Sequence, residues 1–261
     1  MENYCLMMLT CDKYTDIWPA YFGQIKKYWK DYKGSIFINT EKIRTLDIEC
    51  SNKIIFPTEL FEWDTPWSYR LLQCLQQVES DYVVFLLDDF ILTDFVDSKE
   101  IDACIERMKL DPNIACFNFM PSPGRYYEKA FERYELKDKN APFRINLQAA
   151  LWRKSFLLKF IRKHENPWQF ESWGSIRARR FSDKIFHLEK DTKRVFIYPD
   201  GGIIADERWF GEIAIETLKR EGYNDIDFSK RAIYHKGEAR KTEIVHRNFF
   251  QKCWQALKSL I

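Results

Sequence analysis

Two adjacent carboxylates, Asp88 and Asp89, follow the apolar run Tyr82-Val-Val-Phe-Leu-Leu87. A run so rich in β-branched and aromatic residues reads as a strand buried on both faces, and in open α/β sheets ligands sit outside the carboxyl ends of such strands. Two anionic side chains there repel each other unless a cation or a donor offsets them. A hard divalent ion with oxygen ligands, Mg²⁺ or Mn²⁺, is the economical expectation, and it would in turn hold a diphosphate. The plainer reading, a carboxylate that caps the next turn, stays open on these residues alone.

Other chemistries find little support. The four His (His164, His187, His235, His246) show no H-E-x-x-H or paired spacing, so zinc catalysis is not expected. No G-x-x-x-x-G-K-[ST] or G-x-G-x-x-G occurs, which argues against a P-loop or a standard dinucleotide site. Forty-one Lys+Arg against 39 Asp+Glu leave +2, too balanced for a chain that coats nucleic acid. The 7 Cys include no C-x-x-C pair and sit in apolar segments, as buried thiols in a reducing compartment would.

Something must hold the acidic pair in place. The 261 residues, 46% hydrophobic with only 9 Gly and 9 Pro, are enough for a sizeable core and exclude a linker-dominated chain. Short strand-like runs alternate with helical patterns, the mark of an α/β layered domain. Strands are expected at 4–9, 35–39, 53–56, 82–87, 114–119, 145–151, 185–188 and 194–198. Helices are expected at 19–29, from Thr65-Pro66 onward, at 97–110, 154–163, 168–181 and 209–220. Residues 121–142 read as one long loop. No repeat or composition break marks a second domain, so one domain over 1–261 is expected, with 1–120 and 121–261 as its halves.

With these elements in order, the sequence resembles the GT-A class of nucleotide-sugar glycosyltransferases, and more narrowly those encoded with bacterial capsule, O-antigen or lipopolysaccharide assembly. The matching phrases are Leu9-Thr-Cys-Asp-Lys-Tyr14 with Trp18, Trp67-Ser-Tyr-Arg70, Leu86-Leu-Asp-Asp-Phe90, Leu147-Gln-Ala-Ala-Leu-Trp-Arg153 and Glu165-Asn-Pro-Trp-Gln-Phe-Glu171, across about residues 4–180. Asp-Asp-Phe stands where that class has Asp-x-Asp. The resemblance implies a single GT-A-like, Rossmann-like α/β domain: a mixed, mostly parallel central sheet flanked by helices, with the nucleotide sugar bound by residues 1–120 and the acceptor by 121–261. Thr10, Asp12, Glu41, Arg70 and Asp88 would contact the donor, and Asp88, Asp89 and a late His235 the metal. Gln148, Trp152 and Trp168 would shape the acceptor site. Glu171, in the first turn of a helix after Pro167, would be the catalytic base, with Glu165 second.

The implied activity is metal-assisted, inverting transfer of a sugar from a nucleotide diphosphate donor to a surface-polysaccharide or lipid-linked glycan. The rivals are a metal-dependent phosphohydrolase or nucleotidyltransferase acting on a nucleotide sugar, and a non-catalytic carbohydrate-binding protein. The N-terminus lacks a basic stretch and its apolar run is too short for a signal peptide, so a cytoplasmic protein is expected. Basic residues at 153–163 and 177–180 and the aromatic-basic stretch 247–261 leave room for peripheral contact with the inner face of the cytoplasmic membrane.

Overall fold

The computed structural model describes residues 3–121, 126–235, 237–238 and 249–260. Strand β1 (Cys5–Leu9) is buried along its whole length and is followed by a 3₁₀ turn and helix α1 (Trp18–Tyr28), with Pro19 in its first turn. Strands β2 (Ile36–Ile38) and β3 (Ile54–Ile55), helix α2 (Trp67–Gln77) and strand β4 (Tyr82–Leu87) complete the first half-sheet. Helix α3 (Ser98–Leu110) opens where expected, with the Asp97 side chain accepting from the Glu100 N–H, and β5 (Ile114–Asn118) follows.

The next stretch departs from expectation. Within 121–142, where one loop was expected, β6 (Tyr126–Phe131) and β7 (Tyr134–Lys137) form an antiparallel hairpin. Its Glu132-Arg133 turn contains no Gly or Asn to announce it. Strand β8 covers Ala150–Arg153 rather than starting at Ile145, and runs straight into α4 (Lys154–Phe160). Helix α5 (Pro167–Arg177) is opened by a capping box between Asn166 and Gln169. Beyond β9 (Lys184–Leu188), residues 194–198 are not a strand: Val195 and Ile197 accept from the N–H groups of Asp97 and Thr93, but the segment joins no ladder. Instead a small sheet forms from β10 (Ile204–Ala205), β11 (Arg208–Phe210) and β12 (Ile233–Tyr234), so helix α6 starts at Glu212, not Trp209. Helix α7 (Phe249–Leu260) closes the described chain; Arg247, Asn248 and Ile261 lie outside the described residues.

The large sheet has the order β3-β2-β1-β4-β8-β5-β9-β7-β6. Pairings among β3, β2, β1 and β4, and between β5 and β9, are parallel; β8 and the β6–β7 hairpin pair antiparallel. The mixed α/β class expected from the sequence is therefore present. Alternation along β1 buries Leu6 and Met8 against α1 and α3 on one face, and Cys5, Met7 and Leu9 against α2 and α4 on the other. The chain leaves β1 toward β2 and β3 on one side, while β4 lies on the other. Strand order thus reverses between β1 and β4, and a crevice opens at their carboxyl ends. Among the described residues no helix is long and apolar enough to cross a membrane.

Candidate active site

The crevice is a cleft of about 590 Å³. Its floor is the end of β4. Thr10, one residue past β1, donates its hydroxyl to Asp88 Oδ2 and accepts from Trp18 Nε1 at 3.1 Å. The Asp88 N–H donates to the Leu9 carbonyl at 3.3 Å, which fastens the two strand ends together. Asp89 accepts from the Ile204 N–H at 3.3 Å through Oδ2, while its Oδ1 is buried without a hydrogen-bond partner. Burial, then the neighbouring Asp89 charge, push the Asp88 carboxyl well above the usual range despite the Thr10 hydroxyl. Burial likewise pushes Asp89 up to about 7, against the Ile204 N–H.

This pair fits a divalent cation. An orphaned, buried carboxylate oxygen beside a second carboxylate at the floor of a cleft is what a hard ion would complete, and Mg²⁺ characteristically takes only one or two protein carboxylates, with substrate phosphates supplying further ligands. Among the described residues no group of three or more His, Cys, Asp or Glu side chains is arranged around one ion position, and Asp88 and Asp89 are the residues that would hold such an ion.

One wall comes from the chain after β2. Arg70 on α2 is buried, not the surface residue its type suggests: it pairs with Glu41 Oε1 at 2.8 Å and donates to the Asn39 carbonyl at 2.8 Å. Burial raises the Glu41 carboxyl, with Arg70 pulling it down. Both line the cleft, whereas Asp12 does not. The Asp12 carboxylate accepts from the N–H groups of Glu41, Lys42 and Ile43 at 3.0, 2.8 and 3.2 Å, so it shapes the loop that presents Glu41 rather than facing the cleft itself.

The opposite wall carries the acceptor candidates. Gln148 lines the cleft; its Oε1 accepts from the Tyr198 hydroxyl at 3.2 Å, and Tyr198 stacks on Phe90 with centroids 4.1 Å apart. Glu171, on the first turns of α5, lines the cleft with Oε1 accepting from the Leu147 N–H at 2.8 Å. Trp168, one turn earlier, lines it too, its indole exposed.

Besides Asp12, three further expected residues lie outside the cleft. Trp152 points into the core between Phe85 and Phe156, because alternation along β8 turns it away from the cleft. Glu165 is fully buried in a bidentate pair with Arg177, at 2.7 and 3.0 Å, and does not line the cleft. His235 is exposed, 3.9 Å from Glu212 and outside the cleft.

The cleft also uses residues that the sequence did not single out: Trp63 and Asp64 before α2, Gly201 in the turn before β10, and Asp206 and Glu207 in the β10–β11 turn. The Gly201-Gly202 pair was a readable signal, since paired glycines mark close backbone approach. Gly202, at φ +80°, lies so near Asp89 that a Cβ would stand 2.2 Å from its Oδ2.

No protein-family model and no curated protein matches the chain. Among solved structures it is similar to S. aureus TarS, with a TM-score of 0.48 and 13% identity over 73% of this chain and 36% of that one. It is also similar to S. aureus TarS 1–349 in complex with UDP-GlcNAc, with a TM-score of 0.44 and 10% identity over 84% of this chain and 65% of that one. A cytidylyltransferase from Leptospira borgpetersenii serovar Hardjo-bovis gives a TM-score of 0.43 and 13% identity over 90% of this chain and 100% of that one. The chain thus spans between about a third and two thirds of these TarS chains. The fold assignment rests on the strand order and pairing described above.

Proposed function

We propose that this chain transfers a sugar from a nucleotide diphosphate sugar to a glycan hydroxyl. The observation that carries the reading is the buried Asp88–Asp89 pair, with its unpartnered Oδ1, opening at the strand-order reversal into the same cleft that Glu171 lines. A divalent ion, when bound by Asp88 and Asp89, neutralises charge on the diphosphate. The protein's own groups do the rest. Thr10 and the Glu41–Arg70 pair border the nucleotide end, with the loop held by Asp12. Gln148, oriented by Tyr198, offers its amide to sugar hydroxyls. The Glu171 carboxylate, oriented by the Leu147 N–H at the positive end of α5, takes the proton of the attacking hydroxyl as that oxygen bonds to the anomeric carbon and the bond to the nucleoside diphosphate breaks. One base and one displacement invert the anomeric centre. The choice of a surface-polysaccharide or lipid-linked acceptor rests on the sequence resemblance alone.

The test is a thermal-shift and product screen with UDP, GDP and CMP and their sugar conjugates, with and without Mn²⁺, because a ligand that binds only the native state raises its stability. Metal-dependent stabilisation by one nucleotide family, lost in Asp89→Ala, together with release of a nucleoside diphosphate when acceptor is added, supports the reading. Release of phosphate or pyrophosphate would instead place the chain with phosphohydrolases or nucleotidyltransferases. Glycan binding indifferent to nucleotide and metal would make it a binding protein.

A further inference from the structure

Among the large apolar side chains exposed in the described residues, the two most exposed aromatic rings are Trp63, at 83%, and Trp168, at 64%, and both line the cleft. Single exposed apolar residues are ordinary on a protein surface; two indoles at one cleft are not. The segments carrying them are fastened to each other. The Ser68 N–H donates to the Glu165 carbonyl at 3.2 Å and the Glu165 N–H donates to Ser68 Oγ at 2.9 Å. Between these bonds Trp67 packs edge-on against Phe170, centroids 5.8 Å apart. Trp63 is four residues before Trp67 and Trp168 two before Phe170, so a buried staple ties together the two segments that bring the exposed indoles to one cleft. The Asn166–Gln169 capping box then fixes the helix turn on which Trp168 stands.

We propose that Trp63 and Trp168 form a two-indole platform that binds the acceptor as a chain of sugar rings, with one ring on Trp168 beside Glu171 and another on Trp63. This rests on the transfer reading and adds to it a residue, Trp63, and a requirement, an acceptor longer than one sugar. The flat apolar face of an indole matches the C–H face of a pyranose, while Asp64, Asn166 and Glu171 on the same cleft surface supply partners for its hydroxyls. A bilayer suits the platform less well. Trp63 lies among Glu59, Glu62 and Asp64, with Lys42 pairing Glu62 at 2.9 Å, and that local acidity opposes an anionic lipid surface.

The test follows indole fluorescence of the full chain during titration with cello-, chito-, malto- and manno-oligosaccharides of two to six rings and with the corresponding monosaccharides. Separate arms use UDP, GDP and CDP, and vesicles of phosphatidylcholine with phosphatidylglycerol. At least one oligosaccharide series binds about ten-fold more tightly than its monosaccharide. Trp63→Ala returns that affinity to the monosaccharide level, Trp168→Ala weakens both, and nucleotide-dependent thermal stabilisation stays at the wild-type value in each variant. The proposal is overturned if no series exceeds its monosaccharide, if Trp63→Ala binds like wild type, or if the fluorescence responds to nucleotides or vesicles and not to glycans. Failure of the transfer reading shows separately, as the absence of nucleoside diphosphate release.

Discussion

Asp89 and Gly202 are built against each other: a Cβ on Gly202 would lie 2.2 Å from Asp89 Oδ2, while the next two N–H groups, of Ile203 and Ile204, donate to the Asp89 carbonyl and carboxylate at 3.0 and 3.3 Å. The turn before β10 therefore clasps the acidic residue on both its backbone and its side chain. Gly202→Ala faces this clash and a φ of +80° at once. Gly222, at φ +94° with nothing within 4 Å, isolates the backbone part. Gly222→Ala is expected to cost about 1 kcal/mol and Gly202→Ala clearly more, about 2–4 kcal/mol. Urea denaturation of the two variants measures the difference. Gly202→Ala should also lose metal-dependent nucleotide stabilisation, which Gly222→Ala retains.

The acidic pair sets a pH dependence whose sign is fixed by burial. Asp89 is raised to about 7 in the fold, against a usual value of 3.8, and Asp88 is raised as well. Between those values the folded state holds a proton that the unfolded chain has released, so in metal-free protein this contribution is full below about pH 4 and is lost as pH rises to about 7. Thermal melts in EDTA should show Asp89→Asn losing less stability than wild type between pH 5 and 8. Melts with Mn²⁺ should show the opposite trend for wild type, with ion stabilisation growing toward pH 7 as the proton it displaces leaves. Parallel slopes for wild type and Asp89→Asn in EDTA would refute the assignment.

The floor of the cleft was legible because Tyr82 to Leu87 is an unbroken apolar run: only a strand buried on both faces needs it, and the acidic pair at its end stands out. The walls were less so. Trp152 and Trp168 are the same residue type, one just before Arg153 and the other just after Pro167, yet the first is turned into the core by alternation along β8 and the second stands out of the first turn of α5. Sequence does not state which way the pleat of a four-residue strand faces. Val195, Phe196 and Tyr198 are buried as a strand's residues would be, but their segment has no ladder partner, and burial alone does not make a sheet. The small sheet escapes notice because its strands are two or three residues long, shorter than any periodicity can register. Arg231 helps hold it in place: its guanidinium pairs with Asp16 and lies 5.3 Å from the ring centres of both Tyr14 and Trp209, contacts far apart in sequence.

Glu165 has a structural task in this fold. It is fully buried, chelated by Arg177, whose guanidinium also lies over the Phe160 ring at 4.5 Å and donates to the Ser259 carbonyl, so the pair joins α5 to α7. Removing one partner strands a buried charge. Glu165→Ala is expected to destabilise the protein by about 3–5 kcal/mol, whereas Glu165→Leu combined with Arg177→Met should recover most of that loss. Denaturation midpoints of the single and double variants decide the matter, and the double variant should keep nucleotide-dependent stabilisation. A catalytic carboxylate at 165 would instead leave the double variant folded and inactive.

Glu171 carries the opposite expectation. It lines the cleft, and its Oε1 accepts a backbone N–H that the amide oxygen of Gln can accept equally well, so Glu171→Gln preserves the local geometry while removing the base. Stability and nucleotide binding should be those of wild type. The rate of transfer should fall by about 10²–10⁴, the range general base catalysis supplies, with the effect in kcat and little change in KM for the donor. Slow hydrolysis of the nucleotide sugar, where water replaces the acceptor, should fall as well, because the same proton must leave the attacking oxygen. A Glu171→Gln protein that transfers at the wild-type rate would move the base to another carboxylate of the cleft, and apart from Glu41 and the Asp88–Asp89 pair those lining it are Asp64, Asp206 and Glu207.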